Sequence, residues 1–183
     1  DRIHYRIVKC TVCDLVFSNP VSEAGDLDRL YRESEFTYGD EVRCLQQTYG
    51  RYLQQAEGLY GSKERLLEVG CGNGFFLEEA KRQGFKEVYG VEPSMHAVNS
   101  ARADIKPTIS LGMFRDGLFE ADFFDVICVF QTFDHLPDPN GFLESCRRYL
   151  KSGGIILFIN HNVEALLARV LKDRCPIIDV EHT

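Results

Sequence analysis

From residue 65 onward, short apolar runs alternate with longer amphipathic ones. The runs at 65–69, 87–91, 108–111, 124–130 and 155–160 have the length of strands. The fourth is apolar almost throughout, as parallel strands covered on both faces are. Between them the spacing predicts helices over 75–83, 95–103 and 141–150, with another over 163–172, and 151–154 reads as a turn. Upstream, Val42, Leu45, Tyr49, Tyr52, Leu53, Ala56 and Leu59 recur at helical spacing within 41–60. Two further strands, 5–10 and 15–17, surround a turn and close on Asn19-Pro20. Repeated β–α units predict an α/β fold: a Rossmann-like, doubly wound, mostly parallel sheet with helices on both faces. The chain divides into a small N-terminal extension, 1–40, and one larger domain, 41–183.

Composition narrows the partners. Of the 183 residues, 44% are hydrophobic and 27% charged, with a formal net charge of -7 and no run of Lys or Arg longer than two. A nucleic-acid binder normally presents a basic face, so a small-molecule substrate is the better expectation. No apolar run reaches the roughly 18 residues of a membrane span. Seven cysteines, an odd number with several placed in core segments, fit a reducing, cytoplasmic compartment better than a disulfide framework. The first residue is Asp1 rather than Met, and further residues are expected upstream.

The most informative stretch is Glu68-Val69-Gly70-Cys71-Gly72-Asn73-Gly74, which follows a strand and opens a helix. Its G-x-G-x-G spacing differs from the G-x-G-x-x-G of dinucleotide folds, which counts against a nicotinamide-dependent oxidoreductase. Glu68 would repel a pyrophosphate but suits an ammonium or sulfonium. Glu92 ends the second strand twenty positions after Gly72, where a carboxylate can accept from both hydroxyls of a ribose. Together these predict an adenosine-type ligand without a diphosphate.

The loop, with Gly90-Val91-Glu92-Pro93-Ser94, Phe124-Asp125-Val126-Ile127, Asp134-His135-Leu136-Pro137-Asp138-Pro139 and Leu150-Lys151-Ser152-Gly153-Gly154, resembles the ordered motifs of class I S-adenosylmethionine-dependent methyltransferases over about residues 64 to 160. The resemblance implies that Glu68, just before the first glycine, and Gly70, Cys71, Gly72, Asn73 and Gly74 bind S-adenosylmethionine, the loop cradling its methionine part. Glu92 would hold the ribose, while Pro93 and Met95 line the adenine side. Met113 and Phe114 would flank the adenine or simply pack the core, and Gln131 would lie near the amino-acid end. Two more strands of the seven-stranded family sheet are expected beyond Thr183. A non-catalytic module that binds the cofactor without turnover is the second alternative to the enzyme.

A general base is needed only if the acceptor must lose a proton. His135 is one candidate, with a loop-forming role as its alternative; His161 is a weaker one. Cys10 and Cys13 have the spacing of half a zinc knuckle. Residues 5–20 resemble the second half of a zinc-ribbon segment that precedes some bacterial methyltransferases. That resemblance implies zinc only in a longer chain, since His4 and Cys44 complete no convincing ligand set.

Overall fold

The computed structural model describes residues 6–14, 16–20, 29, 39, 41–162 and 165–171. Arg6–Lys9 (β1) and Val16–Asn19 (β2) pair as an antiparallel hairpin. A 14-residue helix, Val42–Gln55 (α1), leads to the β–α units. These are Arg65–Val69 (β3), Phe75–Arg82 (α2), Glu87–Glu92 (β4), Met95–Ser100 (α3), Ile109–Leu111 (β5), Phe124–Phe130 (β6), Pro139–Tyr149 (α4), Leu150–Ile159 (β7) and Leu166–Leu171 (α5). The larger sheet runs β5-β4-β3-β6-β7, and every neighbouring pair is parallel.

This order places a topological switch between β3 and β6: the chain leaves β3 toward β4 on one side, then returns to put β6 on the other. Ligand crevices in open α/β sheets form at such points, outside the carboxyl ends of the strands. Alternate side chains of the central strands feed two cores. Leu66, Val126, Cys128 and Phe130 pack under α1 and α2, whereas Leu67, Val69, Ile127 and Val129 pack under α4. All seven residues of β6 are buried, as its continuous apolar run predicts. Gly50 lets α1 approach α2 closely, because a Cβ there would lie 2.6 Å from Glu79 Cγ; Gln83 donates to the Gly50 carbonyl at 2.8 Å.

Several boundaries differ from expectation. The helix predicted over 95–103 stops at Ser100, because Ala101 turns to an extended conformation and 106–108 form a 3-10 turn. The predicted turn at 151–154 lies inside β7, which pairs from Leu150 onward and absorbs the glycines as an irregularity opposite Phe124 and Val126. The helix over 41–60 ends at Gln55, followed by a turn with Gly58 at φ 99°. Tyr5, Leu15, residues 163–164 and everything after 171 lie outside the described residues.

The end of the sheet opposite the crevice is fastened by Asp125. Its carboxylate accepts from the Ser62 hydroxyl (2.6 Å), the Arg65 backbone N–H (2.8 Å) and Lys151 Nζ (2.9 Å). Burial alone would raise this carboxyl, but those three donors outweigh it and hold the pKa below the usual aspartate range. Asp125→Ala should therefore destabilise the fold by about 2–3 kcal/mol, read from urea unfolding. Because the folded pKa is depressed, the stabilisation is complete above the unfolded value of about 4 and fades as pH falls through the folded one. The gap between wild type and variant should close as the pH drops below about 4.

Candidate functional site

The crevice is built from the carboxyl ends of β3, β4, β5 and β6. After Val69 the chain turns sharply, with Gly70, Gly72 and Gly74 all at positive φ (75°, 55° and 75°). The turn is pinned to β4: Gly70 and Cys71 both donate their N–H to the Val91 carbonyl, at 2.9 and 3.3 Å. Gly70 has a second reason to lack a side chain. A Cβ there would collide with Thr132 Oγ1 and come within 3.0 Å of Thr132 Cγ2, so the residues after β6 lie directly on the loop. Asn73 Oδ1 accepts from the Phe75 N–H at 3.3 Å and helps start α2. From α1, Gln46 donates to the Phe75 carbonyl at 2.5 Å.

Two carboxyls lie beneath this loop. Glu92 is 9% exposed. Its Oε2 accepts from the Gly72 N–H and its Oε1 from the Ser94 N–H, each at 2.8 Å. Burial raises its pKa while these two amides pull it down, and the net direction is upward. Each oxygen keeps a second lone pair for a ligand hydroxyl. Glu68 is buried more deeply, and its Oε2 has no hydrogen-bond partner among the described residues. Burial first, then the charge of Glu92, pushes its pKa well above the carboxylate range.

Beside Glu92, a cavity of about 290 Å³ is lined by Val91, Ser110, Leu111, Gly112, Met113, Arg115 and Leu118. Met113 lines it, but Phe114 does not. The Phe114 ring packs 4.8 Å from Phe142 and 5.8 Å from Tyr149, so the core-packing alternative describes its side chain. Arg115 and Leu118 have no signal in the sequence. They are held by the Tyr149 hydroxyl, which donates to the Arg115 carbonyl at 2.8 Å and accepts from the Leu118 N–H at 2.9 Å. Cys71 is 1% exposed and its thiol lies against Gly90, so the side chain plugs the loop onto β4. Pro93 is half-buried at the end of β4, and Met95 is exposed on the first turn of α3.

At the end of β6, Gln131 adopts φ 50°, a left-handed conformation rare outside glycine. Its N–H donates to the Ile159 carbonyl at 2.6 Å, and its side chain is half-buried at the crevice. His135 closes the short 3-10 turn that follows, with Nε2 3.9 Å from Asp134 Oδ1. His161 is exposed just beyond β7. Far along the chain, Cys10 and Cys13 flank the hairpin turn; Val12 donates its N–H to Cys10 Sγ at 3.4 Å and Asp14 to the Cys10 carbonyl at 3.1 Å. The Val12 amide, then that of Cys13, lowers the Cys10 pKa. Among the described residues, no three His, Cys, Asp or Glu side chains come together where they could hold one metal ion. His4 lies outside them.

A sequence profile described as a methyltransferase domain matches residues 42–182. The chain belongs to the methyltransferase-domain family. The ubiquinone biosynthesis O-methyltransferase of Vibrio cholerae serotype O1 is 29% identical over 147 residues, 76% of this chain and 58% of that protein. A protein of the same name from Pectobacterium carotovorum is 32% identical over 134 residues, 67% of this chain and 53% of that one. The chain thus spans little more than half the length of these curated relatives. Among solved structures, the plantazolicin methyltransferase BpumL, in complex with a monoazolic desmethylPZN analogue and SAH, superposes with a TM-score of 0.60 at 22% identity, over 87% of this chain and 62% of that one. The PH0226 protein of Pyrococcus horikoshii gives 0.58 at 26% identity, over 72% and 60%.

With the family comes its cofactor, S-adenosylmethionine. Two features of the methyltransferase domain fit that molecule: the lone pairs that Glu92 keeps beyond its two amide bonds, and the buried Glu68 oxygen, which has no hydrogen-bond partner among the described residues. Gly70→Ala should weaken binding of S-adenosylhomocysteine by about tenfold or more, since it combines a positive φ with the Thr132 collision. Adding Thr132→Ala, which removes Oγ1 and Cγ2, should recover part of the loss in calorimetric titrations. A loss that Thr132→Ala leaves untouched would place the cost in the backbone angle alone.

Proposed function

We propose that the protein transfers a methyl group from S-adenosylmethionine to a hydroxyl oxygen of a small organic molecule. The observation that carries this reading is the pairing of Glu92, at the end of β4, with the Gly72 amide of the loop after β3, within a methyltransferase domain. The printed names of the curated relatives, O-methyltransferases of ubiquinone biosynthesis, support oxygen as the acceptor atom.

When bound, S-adenosylmethionine supplies an electrophilic methyl on a sulfonium. The chain's own residues then provide position and electrostatics. The backbone of Gly70 to Gly74 holds the amino-acid portion, with Gln131 beside it. Glu92 accepts from the ribose hydroxyls while keeping the loop amide. Met113 and the cavity around it receive the adenine, with Pro93 and Met95 at its rim. His135 is the candidate to take the proton of a hydroxyl acceptor. In this reading residues 1–40 form an appended segment and 41–183 carry the transferase domain. The free, mostly buried cysteines of the domain and its acidic charge fit a cytoplasmic enzyme that does not engage nucleic acid. Among the described residues no helix is long and apolar enough to cross a membrane.

Isothermal titration of the full-length protein should give binding of S-adenosylmethionine and S-adenosylhomocysteine and none of NAD. Glu92→Ala should weaken both by about 1.5–3 kcal/mol, because a charged acceptor is lost to the ribose. NAD binding without a response to either adenosyl ligand would sink the transferase in favour of an oxidoreductase. Tight cofactor binding without methyl transfer to any phenol or alcohol in a broad acceptor screen would favour the non-catalytic alternative.

We also propose that Cys10 and Cys13 supply half of a structural zinc site completed by residues upstream. The Val12 amide directed at Cys10 Sγ supports it, since such N–H donors stabilise a thiolate. Metal analysis should find about one zinc in a full-length chain and almost none in one beginning at Asp1. Stoichiometric zinc in both would move the remaining ligands into this chain, and zinc in neither would leave two ordinary thiols.

A further inference from the structure

Glu68 occupies the face of β3 that it shares with Leu66, under α1 and α2. It is 2% exposed, and Oε2 is buried with no hydrogen-bond partner among the described residues. The groups around it offer no compensation. From α1 comes Tyr49, whose phenol is pushed up to about 12 by burial and then by Glu68 itself. The loop contributes Cys71 and β6 contributes Cys128; burial holds both thiols well above their ordinary range. From α2 the core receives Phe76, Leu77 and Ala80, none of which titrates. From β4 comes Glu92, a second carboxyl. Among the described residues the charge acting on Glu68 is that of Glu92, which is negative.

A buried carboxylate in such surroundings is less favourable than its neutral acid. Glu92 is the better anion of the two, because two backbone amides hold it. Of the two carboxyls Glu92 is thus the one favoured to hold a negative charge, and an ionised Glu92 disfavours a second charge on Glu68. A ligand bearing an ammonium or sulfonium changes this balance by adding the missing opposite charge, and an ammonium can donate to the vacant acceptor on Oε2.

We propose that Glu68 carries a proton in the free protein and releases it to solvent when the cationic cofactor binds, so that cofactor affinity is coupled to pH. The proposal rests on the S-adenosylmethionine reading above. Its sign follows from linkage: a carboxyl neutral when free and ionised when bound makes binding stronger as pH rises.

The test is calorimetric titration of the full-length protein with S-adenosylhomocysteine, in two buffers of different ionisation enthalpy, at about pH 6 and about pH 8. Wild type should release up to about one proton more than Glu68→Gln, and its affinity should rise by about tenfold or more over that range relative to the variant. Comparing the two proteins cancels the titration of the ligand's own amine. Glu68→Gln should bind weakly and with the same pH response as the ligand alone. Equal proton counts in the two proteins would overturn the assignment. Should Glu68→Gln fail to fold, the wild-type count decides: no release and a flat affinity overturn the coupling. The absence of any binding would instead overturn the cofactor reading itself.

Discussion

Glu92 reaches back twenty residues to the Gly72 amide and at the same time receives the Ser94 amide. The rest of the crevice is arranged around that double acceptance. Without it, the loop after β3 would lose one of its hydrogen bonds to β4, keeping those to the Val91 carbonyl, and the buried Gly72 donor would lose its acceptor. The same carboxylate ends β4 and precedes the Ser94 cap of α3, whose hydroxyl accepts from Ala97 at 3.2 Å. One side chain thus sets the loop and the start of the next helix, and each of its oxygens keeps a further lone pair. This economy is available because β3 and β4 are parallel neighbours, which brings their carboxyl ends side by side.

The two cores contribute unequally to this site. Under α1 and α2, the Phe130 ring lies 4.4 Å from Tyr49, tilted, and 4.8 Å from Phe76, edge-on, a tight aromatic floor on the face of the sheet that Glu68 shares. α1 precedes the sheet in sequence yet closes its face: Gln46 fastens the first turn of α2, and Gly50 permits the approach. On the other face, Phe114, Phe142 and Tyr149 hold the segment after β5, so the wall of the 290 Å³ cavity depends on α4 rather than on β5 itself. Aromatic contacts of this kind resist rearrangement, since a densely packed interior cannot deform smoothly.

What the chain's own pattern made legible was local. Strand, glycine loop and helix follow one another without interruption from Arg65 to Arg82, and Glu92 stands at a fixed distance from Gly72, so their relation can be read from spacing. Contacts between distant segments could not be read. Thr132 meets Gly70 only because β6 inserts beside β3, and Tyr149 reaches Arg115 and Leu118 across more than thirty residues. Phe114 shows the limit on a single side chain: its position after β5 is the expected one, but its ring turns to the core that α4 supplies. The glycines at 153 and 154 read as a turn because glycine usually ends a strand. Here the edge strand runs through them by a shift of register.

Glu68 is then the place where folding and function pull in different directions. A leucine in that position would suit the surrounding Tyr49, Cys71, Cys128 and Phe76 far better than a carboxyl with an unpartnered oxygen. Among the described residues nothing offsets the burial, so the acid makes the fold less stable than its packing would allow. A bound cation restores the balance, and whatever binds the folded state alone also stabilises it. The site is in this sense unfinished until its ligand arrives. A buried polar group that folding does not need, placed under a loop that folding does, is best explained by the molecule that the loop is shaped to hold.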